Sequence, residues 1–301
     1  MANSITLSVS GRENLGYPNR RVESERQEMA IFHAGRMRHA DLVFGLLFIL
    51  SSLSAALAVE KVGDTGLPRV DTSAPAPSDA VVIFNGGRTD RLVAADGTPC
   101  NWPVVDGALV CDPSKQERQQ GLWTKLHFRD AQIHAEFVIP PRDPKLAETG
   151  NSGLYLHGLF ELQIIDSFDT PMSSMTLTGS LYGFRPPLVN ASRPRGQWQT
   201  FDIVFRAPRR DAKGQPIEPG SVTAFLNGVL VQNGTTFLRH VSKWTPLYYR
   251  TTPYAVKIRE SLLATECGPL QLQNHESPVR FRNIWIRPLD DKAFVFEPGK
   301  K

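Results

Sequence analysis

Short segments in which apolar and polar residues alternate run along the chain from about residue 80 onward. Residues 132–138 (Gln-Ile-His-Ala-Glu-Phe-Val) and 224–231 (Ala-Phe-Leu-Asn-Gly-Val-Leu-Val) alternate with a period of two, as half-buried strands do. Residues 279–286 give a closing strand of the same kind. Asp106-Gly107 and Asn227-Gly228 each lie between apolar runs and predict tight hairpins. No helical stripe longer than a few turns is evident.

The spacing of these segments predicts the fold class. Roughly a dozen strands joined by turns fit an all-β sandwich of two sheets, of the jelly-roll type. The 23 glycines and 23 prolines agree with many short strands and turns. We expect this domain to span residues 80–290 and a C-terminal tail to follow over 291–301. The turn-rich residues 208–219 predict a solvated loop.

The region before residue 80 has a different character. Residues 42–58 form the one long apolar run; Arg36 and Arg38 precede it, and small residues close it at Ala58. This pattern is typical of a secretory signal peptide, so we expect cleavage after Ala58. An uncleaved anchor is the alternative, because about 17 residues is the short limit for spanning a bilayer. Residues 59–79 read as a polar linker rich in Ser, Ala and Pro.

A signal peptide implies export to the periplasm or the cell exterior, with no stable membrane span after cleavage. The charged residues 1–28 are unusual before a signal, so translation starting at Met29 or Met37 is expected. The net charge of +4 without a Lys/Arg run argues against a nucleic-acid partner. Three cysteines without a C-x-x-C motif argue against a cysteine-ligated zinc site.

Polar side chains share one face of three predicted strands. In residues 150–158 that face carries Asn151, Gly153, Tyr155 and His157, opposite an apolar face. Residues 160–166 align Glu161 with Gln163 and end at Asp166, and residues 271–275 align Gln271, Gln273 and His275. Amides hydrogen-bond hydroxyls and aromatic rings pack on pyranose rings, so this face predicts a sugar site. Glu161, Asp166 and His275 are the ionisable candidates for catalysis.

In their order along the chain, several short motifs resemble the 3-keto-disaccharide hydrolase domains, which have a concanavalin-A-like jelly roll and are exported bacterial proteins. The resemblance covers most of residues 80–289. Its carriers are Phe84-Asn85-Gly86, Gly121-Leu122-Trp123-Thr124, Gly150-Asn151-Ser152-Gly153, residues 161–167, Gly179-Ser180-Leu181-Tyr182-Gly183, residues 196–200, and residues 268–275 leading to Phe281-Arg282-Asn283-Ile284. Two positions depart from the family pattern, Glu276 after His275 and Ser180 in the Gly-Ser-Leu-Tyr motif.

The resemblance implies cleavage of a 3-keto-glycoside, a hydrolysis that proceeds through β-elimination. The ketone at C3 acidifies the C2 proton; a base removes that proton, the C1 substituent leaves, and water adds to the enone. On this reading His275 is the base, while Glu161 or Asp166 orients it, acts as the acid, or holds a divalent metal that polarises the ketone. Arg282 or Tyr182 is expected to stabilise the enolate oxygen. The residues expected to bind the sugar are Tyr155, His157, Gln163, Trp198, Gln273 and Asn274.

Three other functions are alternatives to this reaction. A lectin-like module would bind carbohydrate through the same face without catalysis. A conventional glycosidase would need two facing carboxylates about 5 to 10 Å apart, for which Glu161 and Glu136 are the candidates. A scaffold for protein partners would need an apolar stripe or a repeat, and neither is present in the sequence.

Overall fold

The computed structural model describes residues 75–111, 121–145, 150–172, 174–239 and 252–298 of the chain. The predicted signal peptide over 42–58, the proposed translation starts and most of the 59–79 linker lie outside these residues. None of the helices within the described ranges is long and apolar enough to cross a membrane.

Sixteen strands and one helix make up the described fold. The strands are β1 (Val81–Phe84), β2 (Leu92–Val93), β3 (Val104–Val105), β4 (Ala108–Val110), β5 (Leu122–Phe128), β6 (Ala131–Val138), β7 (Asn151–Leu156), β8 (Phe160–Ile165), β9 (Trp198–Arg206), β10 (Arg209–Arg210), β11 (Pro216–Glu218), β12 (Gly220–Leu226), β13 (Val229–Phe237), β14 (Gly268–Leu272), β15 (Arg280–Pro288) and β16 (Ala293–Val295). The helix, α1, spans Pro253–Thr265.

The strands form two antiparallel sheets and one small hairpin. The eight-stranded sheet has the order β13-β12-β9-β6-β15-β4-β3, with β1 paired to β15. The six-stranded sheet has the order β16-β5-β14-β7-β8, with β2 paired to β5. Strands β10 and β11 form a separate two-stranded hairpin. This arrangement confirms the predicted all-β sandwich of the jelly-roll class.

The core lies between the two sheets, where alternate residues of each strand meet. Leu154, Leu162 and Leu270 of the six-stranded sheet share one buried cluster with Phe137 and Phe201 of the eight-stranded sheet. Each of these side chains is fully buried. Because successive strand residues point to opposite faces, the intervening residues must lie on the outer faces of the sandwich.

The turn chemistry explains both predicted hairpins. Asp106-Gly107 joins β3 to β4 and Asn227-Gly228 joins β12 to β13. All four residues have positive φ between 50° and 80°, as a type I′ turn requires. Asn, Asp and Gly tolerate that conformation better than other residues, so the sequence signal and the structure agree.

Helix α1 is absent from the sequence prediction, although its ends carry ordinary signals. The Thr252 hydroxyl accepts a hydrogen bond from the Ala255 N–H, and Pro253 occupies the first turn. Glu266 ends the helix in the left-handed conformation. The helix buries Tyr254 and Ile258 against the outer side of the six-stranded sheet, next to Trp123.

Two peripheral segments also differ from expectation. The 208–219 stretch forms the β10–β11 hairpin, and Arg209 makes two hydrogen bonds to Asp130, so its charge is paired. The stretch expected as a tail after residue 290 contributes β16, which pairs with β5. Short strands of two or three residues give too little alternation to be found by pattern alone.

Candidate active site

The outer face of the six-stranded sheet carries a row of polar and aromatic side chains. The register pairs Trp123 of β5 with Gln271 of β14, Gln271 with Tyr155 of β7, and Tyr155 with Glu161 of β8. Their neighbours along each strand point into the core. These four side chains therefore lie side by side across the sheet, as cross-strand neighbours about 5 Å apart.

The segment after residue 178 extends this row beyond the edge strand. Leu181 forms a β-bridge with Leu162, and both are fully buried in the core. The Tyr182 N–H donates to the Glu161 carbonyl, and the Gln163 N–H donates to the Ser180 carbonyl. Tyr182 therefore lies beside Glu161 on the outer face, and Ser180 lies beside Gln163.

A second row lies next to the first. Gly153 of β7 pairs with Gln163 of β8, and the Gln273 N–H donates to the Gly153 carbonyl. A Cβ at residue 153 would lie 2.6 Å from Glu161 Oε1, so the glycine provides the space for that carboxyl group. We call the two rows the site face; its members are Trp123, Gly153, Tyr155, Glu161, Gln163, Ser180, Tyr182, Gln271 and Gln273.

A hydrogen-bond chain orients the central carboxyl group. Gln273 Nε2 donates to the Tyr155 hydroxyl oxygen (3.1 Å), and that hydroxyl donates to Glu161 Oε2 (2.8 Å). Because Oε2 accepts this bond, a proton carried by Glu161 belongs on Oε1, the oxygen above Gly153. Burial raises the pKa of Glu161, the Tyr155 bond lowers it, and the result is about 7. A group with this pKa takes up and releases protons near neutral pH.

Several polar atoms on the site face have no hydrogen-bond partner among the described residues. They are Gln271 Oε1, Gln273 Oε1 and Ser180 Oγ. All three side chains are at least 96% buried. An unpaired buried polar group destabilises a fold by about 1–3 kcal/mol, and a bound ligand can supply the missing partner for these three atoms.

His275 and Asn274 lie just beyond strand β14, which ends at Leu272. Asn274 Oδ1 accepts hydrogen bonds from the Cys111 thiol and from the Glu276 N–H, and Glu276 has a φ of 60°. His275 is therefore held in a loop rather than in the expected strand. It is half-buried, and its buried Nδ1 has no partner among the described residues.

Asp166 follows the end of β8 and forms an ion pair with Arg195, so it does not belong to the hydrogen-bonded group around Glu161. Its Oδ2 accepts a hydrogen bond from Arg195 Nε at 2.5 Å, and the side chain is 30% exposed. A Cβ at Gly150 would lie 2.7 Å from Arg195 Nη2, so this glycine makes room for the ion pair.

His157 does not lie on the site face, and its expected position is wrong. It occupies the turn between β7 and β8 with a φ of 55°, which ends the strand alternation. Its Nε2 is 2.6 Å from the Phe128 carbonyl oxygen, and its ring packs edge-on against Phe205 in the core. Burial lowers its pKa to about 4, so it is a neutral core residue.

Trp198 and Arg282 were also expected beside the sugar, and both lie on the other sheet. They belong to β9 and β15, and the guanidinium carbon of Arg282 stacks 3.9 Å above the Trp198 ring. Arg282 Nε donates to Glu136 Oε2 at 2.6 Å. These residues occupy the outer face of the eight-stranded sheet, behind the core as seen from Glu161.

The position of Glu136 also excludes the glycosidase pair. Glu136 and Glu161 lie on opposite outer faces of the sandwich, and stacked sheets are about 10 Å apart before side chains are added. A single sugar therefore cannot contact both carboxylates. The expectation that they act as paired acid and base is wrong.

The donor set around Glu161 does not fit a divalent metal. In the ranges that the structure describes, no group of three His, Cys, Asp or Glu side chains converges. Glu161 is hydrogen-bonded to a tyrosine hydroxyl, and its row is completed by amides and aromatic rings. Hard divalent cations prefer several carboxylate oxygens, which this row of amides and aromatic rings does not supply.

Sequence reasoning missed Ser180 and gave no role to Gln271. The signal for Ser180 was present: apolar Leu181 lies between polar Ser180 and Tyr182, which is the alternation of a short strand. Its partner strand was not evident from the pattern because the bridge with β8 spans a single residue pair.

The fold and the site face together define a carbohydrate-active jelly-roll protein. The chain belongs to the family of 3-keto-alpha-glucoside-1,2-lyase-like domains, whose profile matches residues 79–287. This confirms the family suggested by the sequence motifs.

Two solved structures are similar to this chain. The chain is 32% identical to a "putative glycosyl hydrolase" from Parabacteroides distasonis, with a TM-score of 0.57. That match covers 71% of this chain and 85% of the other. A second protein of the same description and organism is 20% identical, covers 70% and 94% of the two chains, and has a TM-score of 0.47. No curated protein matches the chain.

Proposed function

We propose that this protein cleaves 3-keto-glycosides by β-elimination at C1 and C2, with Glu161 as the group that moves the proton. The observation that carries the proposal is the position of the Glu161 carboxyl group, which is buried at the centre of an amide- and aromatic-lined face. Burial raises the pKa of this group to about 7. The family description, a 1,2-lyase acting on 3-keto-glucosides, supports the same reaction class.

The steps follow from the acidity of a proton next to a ketone. Glu161 Oε1, as carboxylate, accepts the C2 proton, and the electron pair forms an enolate onto the C3 oxygen. The enolate returns its electrons to form the C1–C2 double bond, the C1–O bond breaks, and the leaving oxygen takes a proton from the Glu161 carboxylic acid. Addition of water to the enone, with OH at C1 and H at C2, completes a net hydrolysis.

The surrounding residues have distinct tasks in this proposal. Tyr155 holds the non-reacting oxygen Oε2, which keeps Oε1 toward the substrate. Gln271 and Gln273 offer unpaired carbonyl oxygens, which suit the hydroxyl groups of a neutral sugar. His275 remains a second candidate for proton transfer, because its buried Nδ1 lacks a partner among the described residues.

The test is turnover of 3-keto-trehalose and 3-keto-glucosides, followed by mass spectrometry, with the corresponding unoxidised glycosides as controls. We expect product from the 3-keto compounds only, and loss of product in Glu161→Gln. Sugar binding without product from any 3-keto compound would replace the proposal by the lectin-like function. Unchanged turnover in His275→Ala would leave Glu161 as the sole base.

We also propose that the protein is exported to the periplasm or beyond, on the basis of the apolar run over 42–58. N-terminal sequencing of the native protein should find Val59 as the first residue. An intact N-terminus on protein recovered from the cytoplasm would refute this.

A further inference from the structure

The proposed elimination needs hydrogen-bond donors at the C3 oxygen, where negative charge develops. Arg282, one candidate for this task, lies on the other sheet. Donors for the oxygen must therefore come from the site face. In other enzymes, removing one such donor lowers kcat by about 10²- to 10³-fold.

We infer that Ser180 and Gln163 form an oxyanion-binding pair for the C3 oxygen of the substrate. The Gln163 N–H donates to the Ser180 carbonyl, directly next to the Leu162–Leu181 bridge. This pairing places the Gln163 and Ser180 side chains next to each other on the outer face. This inference rests on the proposed function and names groups that would stabilise its enolate.

The first donor is the Ser180 hydroxyl. Ser180 is fully buried, and its Oγ has no hydrogen-bond partner among the described residues. A hydroxyl can donate to an oxyanion and needs no change of protonation to do so. Its position opposite Gln163, with Leu181 turned to the core, directs it toward the site face.

The second donor is the Gln163 carboxamide. Gln163 Oε1 accepts a hydrogen bond from the Ile164 N–H at 3.1 Å, which turns the Nε2 end away from that bond. The side chain is 94% buried, so its orientation is set before substrate arrives. Donors that are oriented in advance lower the barrier because they need no reorganisation during the reaction.

The spacing from the base fits the substrate. Glu161 and Gln163 are two residues apart on one strand, which is about 6.6 Å along β8. The C2 proton and the C3 oxygen are on adjacent carbons of the sugar ring. A hydrogen-bond length separates each of them from its protein partner, and these lengths widen the span of the two contacts. One sugar ring can thus contact Glu161 through C2–H and the Ser180–Gln163 pair through the ketone.

The test uses a 3-keto-1,5-anhydroglucitol, which can form the enolate but carries no exocyclic leaving group at C1. Exchange of its C2 proton in D₂O, followed by NMR, reports the enolate step alone. We expect Ser180→Ala to slow exchange by about 10²-fold with little change in KM. Ser180→Cys, whose thiol is a weaker donor, should exchange at a rate between those of the wild type and Ser180→Ala. Gln163→Glu keeps an oxygen that accepts the hydrogen bond from the Ile164 N–H but loses the Nε2 donor, so exchange should also be slower in this variant.

Thr200→Val is the matched control. Thr200 is 99% buried on the eight-stranded sheet and its hydroxyl also lacks a partner among the described residues. Both hydroxyl deletions should leave the thermal unfolding midpoint unchanged or raise it, because each removes an unpaired buried group. Only Ser180→Ala should slow exchange.

The outcomes separate the inference from the proposed function. Exchange at the wild-type rate in Ser180→Ala would overturn the oxyanion pair while leaving the elimination intact. A large fall in unfolding midpoint together with the slower rate would assign Ser180 a structural role and also overturn the inference. Absence of both exchange and product in the wild-type protein would refute the proposed function itself.

Discussion

Replacing Glu161 by Gln should stabilise the protein and abolish its activity. The carboxyl group is 93% buried, and its pKa is about 7 in the folded chain compared with an ordinary value of 4.5. Folding therefore favours the protonated form. Between pH 4.5 and 7, Glu161 is ionised in the unfolded chain but stays mostly protonated in the folded chain. The unfolding free energy therefore falls as the pH rises through this window and levels off above it.

The size of the effect follows from the two pKa values. Their difference of about 2.5 corresponds to about 3 kcal/mol at 1.36 kcal/mol per pKa unit. Glutamine keeps an oxygen that accepts the Tyr155 hydrogen bond and cannot ionise. The gain in unfolding free energy from Glu161→Gln should thus be about 2–3 kcal/mol larger at pH 8 than at pH 5.

Urea unfolding of both proteins at pH 5 and pH 8 measures this difference without knowledge of the substrate. Glu218→Gln is the matched control, because it removes an exposed carboxylate on β11 and gives the size of a generic charge effect. Equal gains at the two pH values would show that Glu161 is not an elevated-pKa group. The choice of Glu161 as the proton carrier would then have no electrostatic basis.

Three further predictions concern the same side chains and the opposite face. Tyr155→Phe removes a hydrogen bond that lowers the pKa of Glu161, so the rising limb of kcat/KM against pH, near 7, should move up by about one pH unit. Gly153→Ala places a Cβ against Glu161 Oε1 and should lower turnover at least tenfold (about 1.4 kcal/mol), measured on the same 3-keto-glucoside. On the other sheet, burial lowers the pKa of His134, but bonds to Asp202 and Glu136 raise it to about 9. The contribution of charged His134 to the unfolding free energy is present below pH 6.5 and should be lost as the pH rises through 9. In urea unfolding, Asp202→Asn should reduce this pH-dependent loss by about 1–3 kcal/mol.

Each of these has a result that contradicts it. An unmoved pH limb in Tyr155→Phe would mean that another group sets the profile. Tyr254→Phe, which changes a buried tyrosine in the first turn of α1, controls for loss of a hydroxyl. Full turnover in Gly153→Ala would show that Oε1 is not the reacting oxygen. Parallel pH curves for Asp202→Asn and wild type would show that His134 is not held charged.

The sequence alone determined the fold class and most of the site face. Strand alternation and the turn pairs Asp106-Gly107 and Asn227-Gly228 depend on neighbouring residues, so they can be found without knowing which strands pair. The alternation also placed Tyr155, Glu161, Gln163 and Gln273 on one side of their strands, where the structure has them.

Tertiary structure decided which strands share a sheet, and no local pattern contains that information. Trp198 and Arg282 have the composition of a sugar site, yet strand order places them behind the core from Glu161. His157 continued the alternation in sequence, but its own positive φ at the turn directed it into the core. A one-residue bridge brought Ser180 beside Gln163.

The pKa of Glu161 was also beyond the sequence, because it depends on how completely neighbouring strands exclude water from one carboxyl group. Residue types along a strand specify which side chains face outward. The pairing of β7, β8 and β14 sets the burial, the hydrogen bond from Tyr155 and the space above Gly153, which together make that carboxyl group a candidate acid and base.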